Sequence, residues 1–272
     1  MNNKILWDCH MHSDFSGDSD TPMENLIQQA IQKGLQGICI TEHLDHDFPA
    51  NSDNTSFDLD VRSYRETLFS LREKYAGQLD IRFGVELGLQ PHLKDFSEGL
   101  LLVTPFDFVI GSSHLVHGRD PYYPEYFEGR EEAACYREYF ESILENISAF
   151  SGMDVYGHLD YIVRYGPNKN RDYSYRKYQD VLDEILHVII EKGLGIELNT
   201  GGYHYGLGEP NPCTEILKRY REMGGEIITI GSDAHKTEKI AFDFDKAAAV
   251  LENCGFQYYT VFQNRKPEFL KL

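Results

Sequence analysis

The sequence is poor in positive charge: 26 Lys and Arg stand against 44 Asp and Glu, a formal net charge of −18. That balance excludes a broad basic surface of the kind that meets nucleic-acid phosphates or anionic lipid, so neither nucleic acid nor a membrane is expected as a partner. A small phosphorylated substrate stays open, because bound divalent cations can invert the local field. Paired cysteines are lacking too. Cys9, Cys39, Cys135, Cys213 and Cys254 are odd in number, scattered and without a C-x-x-C motif, which fits a reducing compartment better than a disulfide framework. Cys9 and Cys39 fall inside apolar runs and read as buried packing. No run of about 18 consecutive apolar residues occurs, and the N-terminus leads into a strand-like run rather than a basic, apolar, cleavable leader. The expectation is a soluble, cytoplasmic protein. No Pro/Ser-rich linker, shift in composition or internal repeat divides the chain. Residues 1–272 therefore read as one domain, close to the roughly 250 residues typical of a (β/α) barrel.

What is present is a series of short apolar runs that close on metal-ligand residue types. "KILWDCHMH" ends on His10 and His12, "GICITEH" on His43 and "FDFVIGSSH" on His114; "IRFGVELG" carries Glu86, "DVYGHLD" carries His158, and "EIITIGSDAH" carries Asp233 and His235. A strand alternates its side chains, so His10 and His12 share one face and their imidazoles converge. A further run, "GLGIELNT", has no His and ends on Asn199 and Thr200. Between the runs lie segments with helical spacing: 22–34, 60–75, 91–101, 130–150, 177–192, 213–223 and 243–253. The stripe Tyr136, Tyr139, Phe140, Ile143, Leu144, Ile147 reads as core, as do Val181, Leu182, Ile185 and Val188-Ile189. Seven strand-helix units with polar residues at the strands' C-terminal ends predict an α/β fold, a distorted, TIM-like (β/α)7 barrel with its site at that mouth.

A single His at a strand end is more often a hydrogen-bonded structural residue than a ligand. Six His and two acids at the same end of successive strands reverse that judgement. Imidazoles and carboxylates without thiolates suit Zn, Mn or Fe. In the loop "SDFSGDSD" an acid could join them, but spacing alone does not separate Asp18 from Asp14 or Asp20. The acids Asp45, Asp47, Asp53, Asp58 and Asp60 read as solvated loop charge.

The His-x-His pair, Thr41-Glu42-His43, Glu86, Ser112-Ser113-His114, Gly157-His158 and Ser232-Asp233-Ala234-His235 resemble, in this order and over almost the whole chain, the polymerase-and-histidinol-phosphatase (PHP) superfamily. "GHLDYIVRYG" and "ELNTGGYHYGLGEPNP" look most like its histidinol-phosphate phosphatases. The resemblance implies a distorted (β/α)7 barrel with three divalent metals on nine ligands. His10, His12, Glu86 and Asp233 would hold the first; Glu86, bridging, with His114 and His158 the second; Asp18, His43 and His235 the third. The family pattern, an Asp or His eight residues after the first His, is what selects Asp18.

The implied activity is hydrolysis of a phosphomonoester, L-histidinol phosphate, by in-line attack of a metal-activated hydroxide. Glu86, Asp233 and His235 are the candidate catalytic residues, the last two as proton donors if they are not fully committed as ligands. Arg164 is the candidate phosphate clamp, since a guanidinium forks onto two phosphate oxygens; the alternative is a surface salt bridge. His204 stands in the Gly-rich loop where the resembling phosphatases lead us to expect a more basic residue, and Glu42, at a frayed strand end, could meet the substrate's amine. His46, His92, His117 and His187 read as structural or exposed. Competing readings are a PHP phosphoesterase for another small phosphate or nucleotide end, an amidohydrolase-type deacylase, and a metal-binding protein without turnover. No strand closes on the Lys that the deacylases usually carboxylate. Oligomeric state leaves no signal in the sequence.

Overall fold

The structure, a computed structural model, describes residues 5–50 and 55–272; Lys4 of the first apolar run and Asp53 of the acidic loop lie outside them. Strands and helices alternate as β1 (Trp7–Asp8), α1 (Met23–Gln32), β2 (Gly37–Leu44), α2 (Val61–Lys74), β3 (Asp80–Gly88), α3 (Lys94–Val103), β4 (Phe108–Ser112), α4 (Glu132–Ala149), β5 (Val155–Tyr156), α5 (Gln179–Glu191) and β6 (Gly195–Asn199). A one-turn helix α6 (Gly201–His204), α7 (Thr214–Glu222), β7 (Ile228–Gly231) and α8 (Phe244–Cys254) follow, and a hairpin of β8 (Tyr258–Gln263) and β9 (Lys266–Lys271) ends the chain. The seven predicted helical segments all form, and no helix among the described residues is long and apolar enough to cross a membrane.

The local causes are plain in α5. Val181, Leu182, Ile185, Leu186 and Ile189 recur at helical spacing and are buried on one face, each contributing about 1.5–3 kcal/mol by leaving water. Gly193, at a φ of 69°, takes the left-handed turn that ends the segment and feeds β6. In α2 the Asp60 side chain accepts the Ser63 N–H and caps the first turn.

β1 to β7 form one parallel sheet in chain order. Its two ends meet: Cys9 N–H donates to the Ile230 carbonyl at 2.9 Å, Asp233 N–H to that of His10 at 2.8 Å and His12 N–H to that of Ala234 at 2.9 Å, which closes the ring. The first strand is shorter than the sequence predicts. Only Trp7–Asp8 is regular, and Met11 pairs as an isolated bridge with Ala234, because here the chain is shared between β2 and β7. Cys9 and Cys39 are buried, as expected.

The hairpin is the element that sequence reading missed. It is not an eighth barrel stave. Thr260 Oγ1 accepts from Ile228 N–H, the Tyr259 hydroxyl accepts from Leu6 N–H, Arg265 Nε donates to Asp154 Oδ2, and Asn264 N–H donates to Asp107 Oδ1. All four partners lie at the strands' N-terminal ends, so the hairpin seals the face opposite the site. Its turn residues Asn264 and Arg265, at φ of 50° and 64°, make a two-residue turn of left-handed conformation without the glycine that usually announces one.

Candidate metal centre

Parallel register sets the first part of the site. His43 on β2 stands directly beside Glu86 on β3, so both side chains leave the same face of the sheet near its C-terminal edge. Glu86 is wholly buried; its Oε1 accepts from Ser112 Oγ at 2.6 Å, while Oε2 has no hydrogen-bond partner. Around Oε2 stand His10 Nε2 at 3.2 Å and His12 Nε2 at 3.5 Å, and Asp233 Oδ1 completes the group at 3.7 and 3.5 Å from the same two nitrogens. Four ligands about 2.0–2.1 Å from a tetrahedral cation sit about 3.3 Å from one another, which these separations match. On the other side of Glu86, His114 Nε2 lies 3.3 Å and His158 Nε2 3.0 Å from Oε1. A third cluster sits further out: Asp18 Oδ2 is 3.2 Å from His235 Nε2 and 3.6 Å from His43 Nε2.

Eight of the nine expected ligands fall into overlapping triads whose ligand atoms lie within 4.8 Å of one another: His10, His12, His43, Glu86, His114, His158, Asp233 and His235. Asp18, exposed in its loop, joins them through His43 and His235 and not through the buried interior.

The chemistry of these donors fits a cation. His10 Nε2, His12 Nε2, His43 Nδ1, Glu86 Oε2 and His235 Nε2 are buried without a hydrogen-bond partner. At roughly 1–3 kcal/mol for each unsatisfied polar group, such a set would consume much of the 5–15 kcal/mol that holds a domain folded. Electrostatics agree. Burial alone pushes the Glu86 and Asp233 carboxyls up, yet the imidazoles around them hold both well below the usual carboxylate range, with Arg164 helping at Asp233. Burial alone would lower His10, His43, His114 and His235. The neighbouring carboxylates instead raise all four, His235 to about 9. His12 and His158 are lowered, first by burial. The pocket is arranged for positive charge, which divalent cations supply while displacing protons.

A shell of groups behind the imidazoles fixes which nitrogen faces inward. Glu197 Oε1 accepts from His10 Nδ1–H at 2.6 Å, Asp45 Oδ1 from His114 Nδ1–H at 2.7 Å, Ser16 Oγ from His12 Nδ1–H at 3.2 Å, and the Asp233 carbonyl from His235 Nδ1–H at 3.0 Å. In all four the Nε2 lone pair is left for a cation. Two glycines make room. A Cβ on Gly88 would lie 1.9 Å from Asp45 Oδ1, and one on Gly231 would lie 2.3 Å from both Glu197 Oε1 and His10 Cβ.

Two expectations are corrected here, for Asp45 and Glu42, and the alternative reading of Arg164 is removed. Asp45 is not solvated loop charge; it is buried as the partner of His114. Glu42 does not reach a substrate. β2 stays regular through Leu44, so Glu42 points to the opposite face from His43, where it accepts from Ser13 N–H and from the Ser13 and Ser16 hydroxyls. Through Ser16 it stands behind His12. Arg164 is no surface salt bridge, being almost wholly buried in the turn after β5; Nε donates to Asn211 Oδ1 at 2.8 Å, Nη2 to Asn199 Oδ1 at 2.9 Å and Nη1 to Asp233 Oδ2 at 2.8 Å.

Glu197 and Asp8 went unread because neither closes its apolar run. Glu197 is two residues short of the end of β6. Asp8 binds Ser232 N–H at 2.9 Å and Ala241 N–H at 2.8 Å, clamping the turn in which Asp233 adopts a φ of 56°. Burial pushes the Asp8 carboxyl up to about 6. Of the remaining histidines, His46, His92, His117 and His187 pair with Asp58, Asp47, Glu145 and Glu191 near the surface. His204, on α6, accepts at Nδ1 from Lys239 Nζ at 2.7 Å.

The cluster opens into a cavity of about 800 Å³. His43, His114, His158, Asp233, His235 and Asp18 form its floor; Arg164, His204, Lys236, Lys239, Asp120, Tyr122, Tyr161 and Tyr165 line its wall, with the Arg164 guanidinium 5.4 Å from the centre of the Tyr161 ring.

Known proteins resemble this chain in sequence and fold. The family model for the PHP domain matches residues 8–201. A probable histidinol-phosphatase of Clostridium acetobutylicum is 32% identical over 256 residues, 93% of this chain and 95% of that protein. The crystal structure of the histidinol phosphate phosphatase of Lactococcus lactis subsp. lactis, in complex with zinc, L-histidinol and phosphate, has a TM-score of 0.90 at 29% identity, covering 97% of this chain and 98% of that one. A putative histidinol phosphatase of Listeria monocytogenes shares the fold, with a TM-score of 0.77 at 21% identity over 88% of this chain and 99% of its own. With motif order, seven-strand ring and ligand cluster in agreement, the chain belongs to the PHP domain family.

Proposed function

We propose that this chain is a metal-dependent phosphomonoesterase that hydrolyses L-histidinol phosphate in histidine biosynthesis, using three divalent cations held within a single domain of residues 1–272. His10, His12, Glu86 and Asp233 hold the first cation, Glu86 with His114 and His158 the second, and Asp18, His43 and His235 the third. The observation that carries the reading is the convergence of buried, unpartnered imidazole and carboxylate atoms about the two oxygens of Glu86. Relatives named as histidinol-phosphatases, one of them crystallised with zinc, L-histidinol and phosphate, support both the reaction and the substrate.

Bound divalent cations supply activation of water at neutral pH and neutralisation of the phosphoryl oxygens. The chain's own residues do the rest. Glu86 ties two of the ligand groups together through its two oxygens. Arg164 holds Asp233 Oδ2 and so turns Oδ1 toward His10 and His12; as a cavity-lining guanidinium it also offers its remaining N–H groups to a phosphate oxygen. Asp233 is kept anionic and is no proton donor. His235 Nδ1 is tied to the Asp233 carbonyl, which leaves a ligating His235 no nitrogen for proton transfer. The proton for the leaving alkoxide then comes from solvent or from the Lys239–His204 pair on the cavity wall. His204 is lowered by its burial and by Lys239.

The test is phosphate release by the metal-loaded protein from a panel of phosphomonoesters. L-Histidinol phosphate should have the highest kcat/KM. A different small phosphate or a nucleotide at the head of the ranking would replace the substrate assignment, and no release from any ester would end the phosphatase reading.

A further inference from the structure

The cavity wall carries charges of both signs. His204, Lys236, Lys239 and Arg164 share one neighbourhood, since the charges that act on His204 come from Lys239, Arg164, Asp233 and Lys236. Asp120 stands in the field of His114 and Asp45 and acts on Tyr161, whose ring carries the Arg164 guanidinium at 5.4 Å. Asp120 sits on the cavity wall in the segment between β4 and α4 and is neither a ligand nor the partner of one. Its Oδ1 accepts the Tyr122 N–H at 2.8 Å, and no Lys or Arg among the described residues pairs with it.

That segment is built as a rigid arm. Val116 and Arg119 exchange backbone hydrogen bonds at 2.8 and 3.0 Å across His117 and Gly118, both at positive φ. Arg119 bonds Glu138 on α4 at 2.8 Å, and Arg130 bonds the same carboxylate from the far end of the arm. From the floor a strip of rings leads to it. Tyr161 lies 4.9 Å from the His158 ring and 5.5 Å from His114, Tyr165 lies 5.0 Å from Tyr161, and Tyr122 lies 5.4 Å from Tyr165. A phosphate placed on the floor beside Arg164 sends its organic part along this strip toward a half-buried carboxylate that has no cation of its own.

We propose that Asp120, with Tyr122, Tyr161 and Tyr165, is the subsite for the cationic end of the substrate, so that the enzyme selects phosphate monoesters whose alcohol carries a protonated amine or imidazole. The inference rests on the phosphatase reading above and adds the residue that chooses among esters. A carboxylate and aromatic faces attract an organic cation through charge-assisted hydrogen bonding and the ring quadrupole. Neutral and anionic esters gain nothing from either.

The experiment compares wild type, Asp120→Asn and Asp120→Glu on L-histidinol phosphate, O-phosphoethanolamine and the charge-free leaving group of p-nitrophenyl phosphate. It adds calorimetric binding of L-histidinol to each metal-loaded protein, metal content and thermal melting. Asp120→Asn should raise KM for L-histidinol phosphate about tenfold or more, with kcat within about threefold, and should weaken L-histidinol binding by a similar factor. Its p-nitrophenyl phosphate kinetics, metal content and melting should stay at wild-type values, and Asp120→Glu should recover part of the loss. A wild-type preference for L-histidinol phosphate that survives Asp120→Asn overturns the inference and leaves the phosphatase reading intact. An equal loss on all esters, or a loss of metal, also overturns it, since Asp120 would then act through the floor or the fold. A wild type indifferent to charge on the ester overturns both the inference and the substrate assignment.

Discussion

Arg164 donates from Nη1 to Asp233 Oδ2 at 2.8 Å, while the other oxygen of the same carboxylate faces His10 and His12. A residue expected from sequence to serve the phosphate alone is thus also the brace of a cation-facing acid. Arg164→Ala should lower kcat/KM by about a hundredfold or more, the loss of a few kcal/mol from charged hydrogen bonds in a closed site. It should also lower the metal content. Arg164→Lys should recover only part, because it keeps the charge but not the three-way fork to Asn199, Asn211 and Asp233. Kinetics together with elemental analysis check this, and full metal occupancy in an inactive Arg164→Ala protein would restrict Arg164 to the phosphate.

The carboxylates behind the imidazoles give a second prediction. Glu197→Gln and Asp45→Asn keep shape but lose the anion that fixes His10 and His114 in the tautomer with Nε2 free. Each should weaken metal affinity about 10–100-fold, with the fold retained, as outer-shell changes generally do. Competition against a chelator measures it. Unchanged affinity in both variants would make the tautomer lock irrelevant.

Glu86 stands between two groups of imidazoles. Glu86→Gln removes its charge at nearly constant shape and should abolish turnover and deplete the metals on both sides of it, while the thermal transition remains cooperative. An active Glu86→Gln protein would place the reaction elsewhere.

The pH dependence follows from the raised histidines of the metal-free protein. His235 titrates near 9 and so holds a proton at pH 7.5 that a free imidazole would have lost, and the surrounding carboxylates raise His10, His43 and His114 as well. A cation must displace such protons. Binding should release protons at pH 7.5, and affinity should fall as the pH is lowered. Calorimetry in buffers of different ionisation enthalpy counts the protons, and a count of zero would contradict the assigned charge state.

Much of this was legible because period and ligand type coincided. Runs such as "GICITEH" and "FDFVIGSSH" carry the alternation of a strand and end on the residue that faces the floor, and the helices between them, with apolar residues at 3.6 spacing, formed within a few residues of expectation. Partnership across the ring was not legible. Asp45 looked like one acid in a charged loop, and only the packing of β2, β3 and β4 side by side brings its carboxylate to His114, 69 residues away. Glu197 and Asp8 were hidden in the same way, since a residue behind a ligand carries no spacing of its own. Glu42 misled because it adjoins a ligand, and strand alternation turned it to the other face. The hairpin stayed hidden because Asn264-Arg265 turns without a glycine.

The most direct test of the account is to strip the protein with chelator and titrate a divalent cation back while following phosphate release from L-histidinol phosphate. The proposed nine ligands for three cations lead us to expect no activity in the stripped protein, and activity that rises with added cation and saturates at three equivalents per chain. Full turnover in the stripped protein, or saturation at a single equivalent, would contradict it.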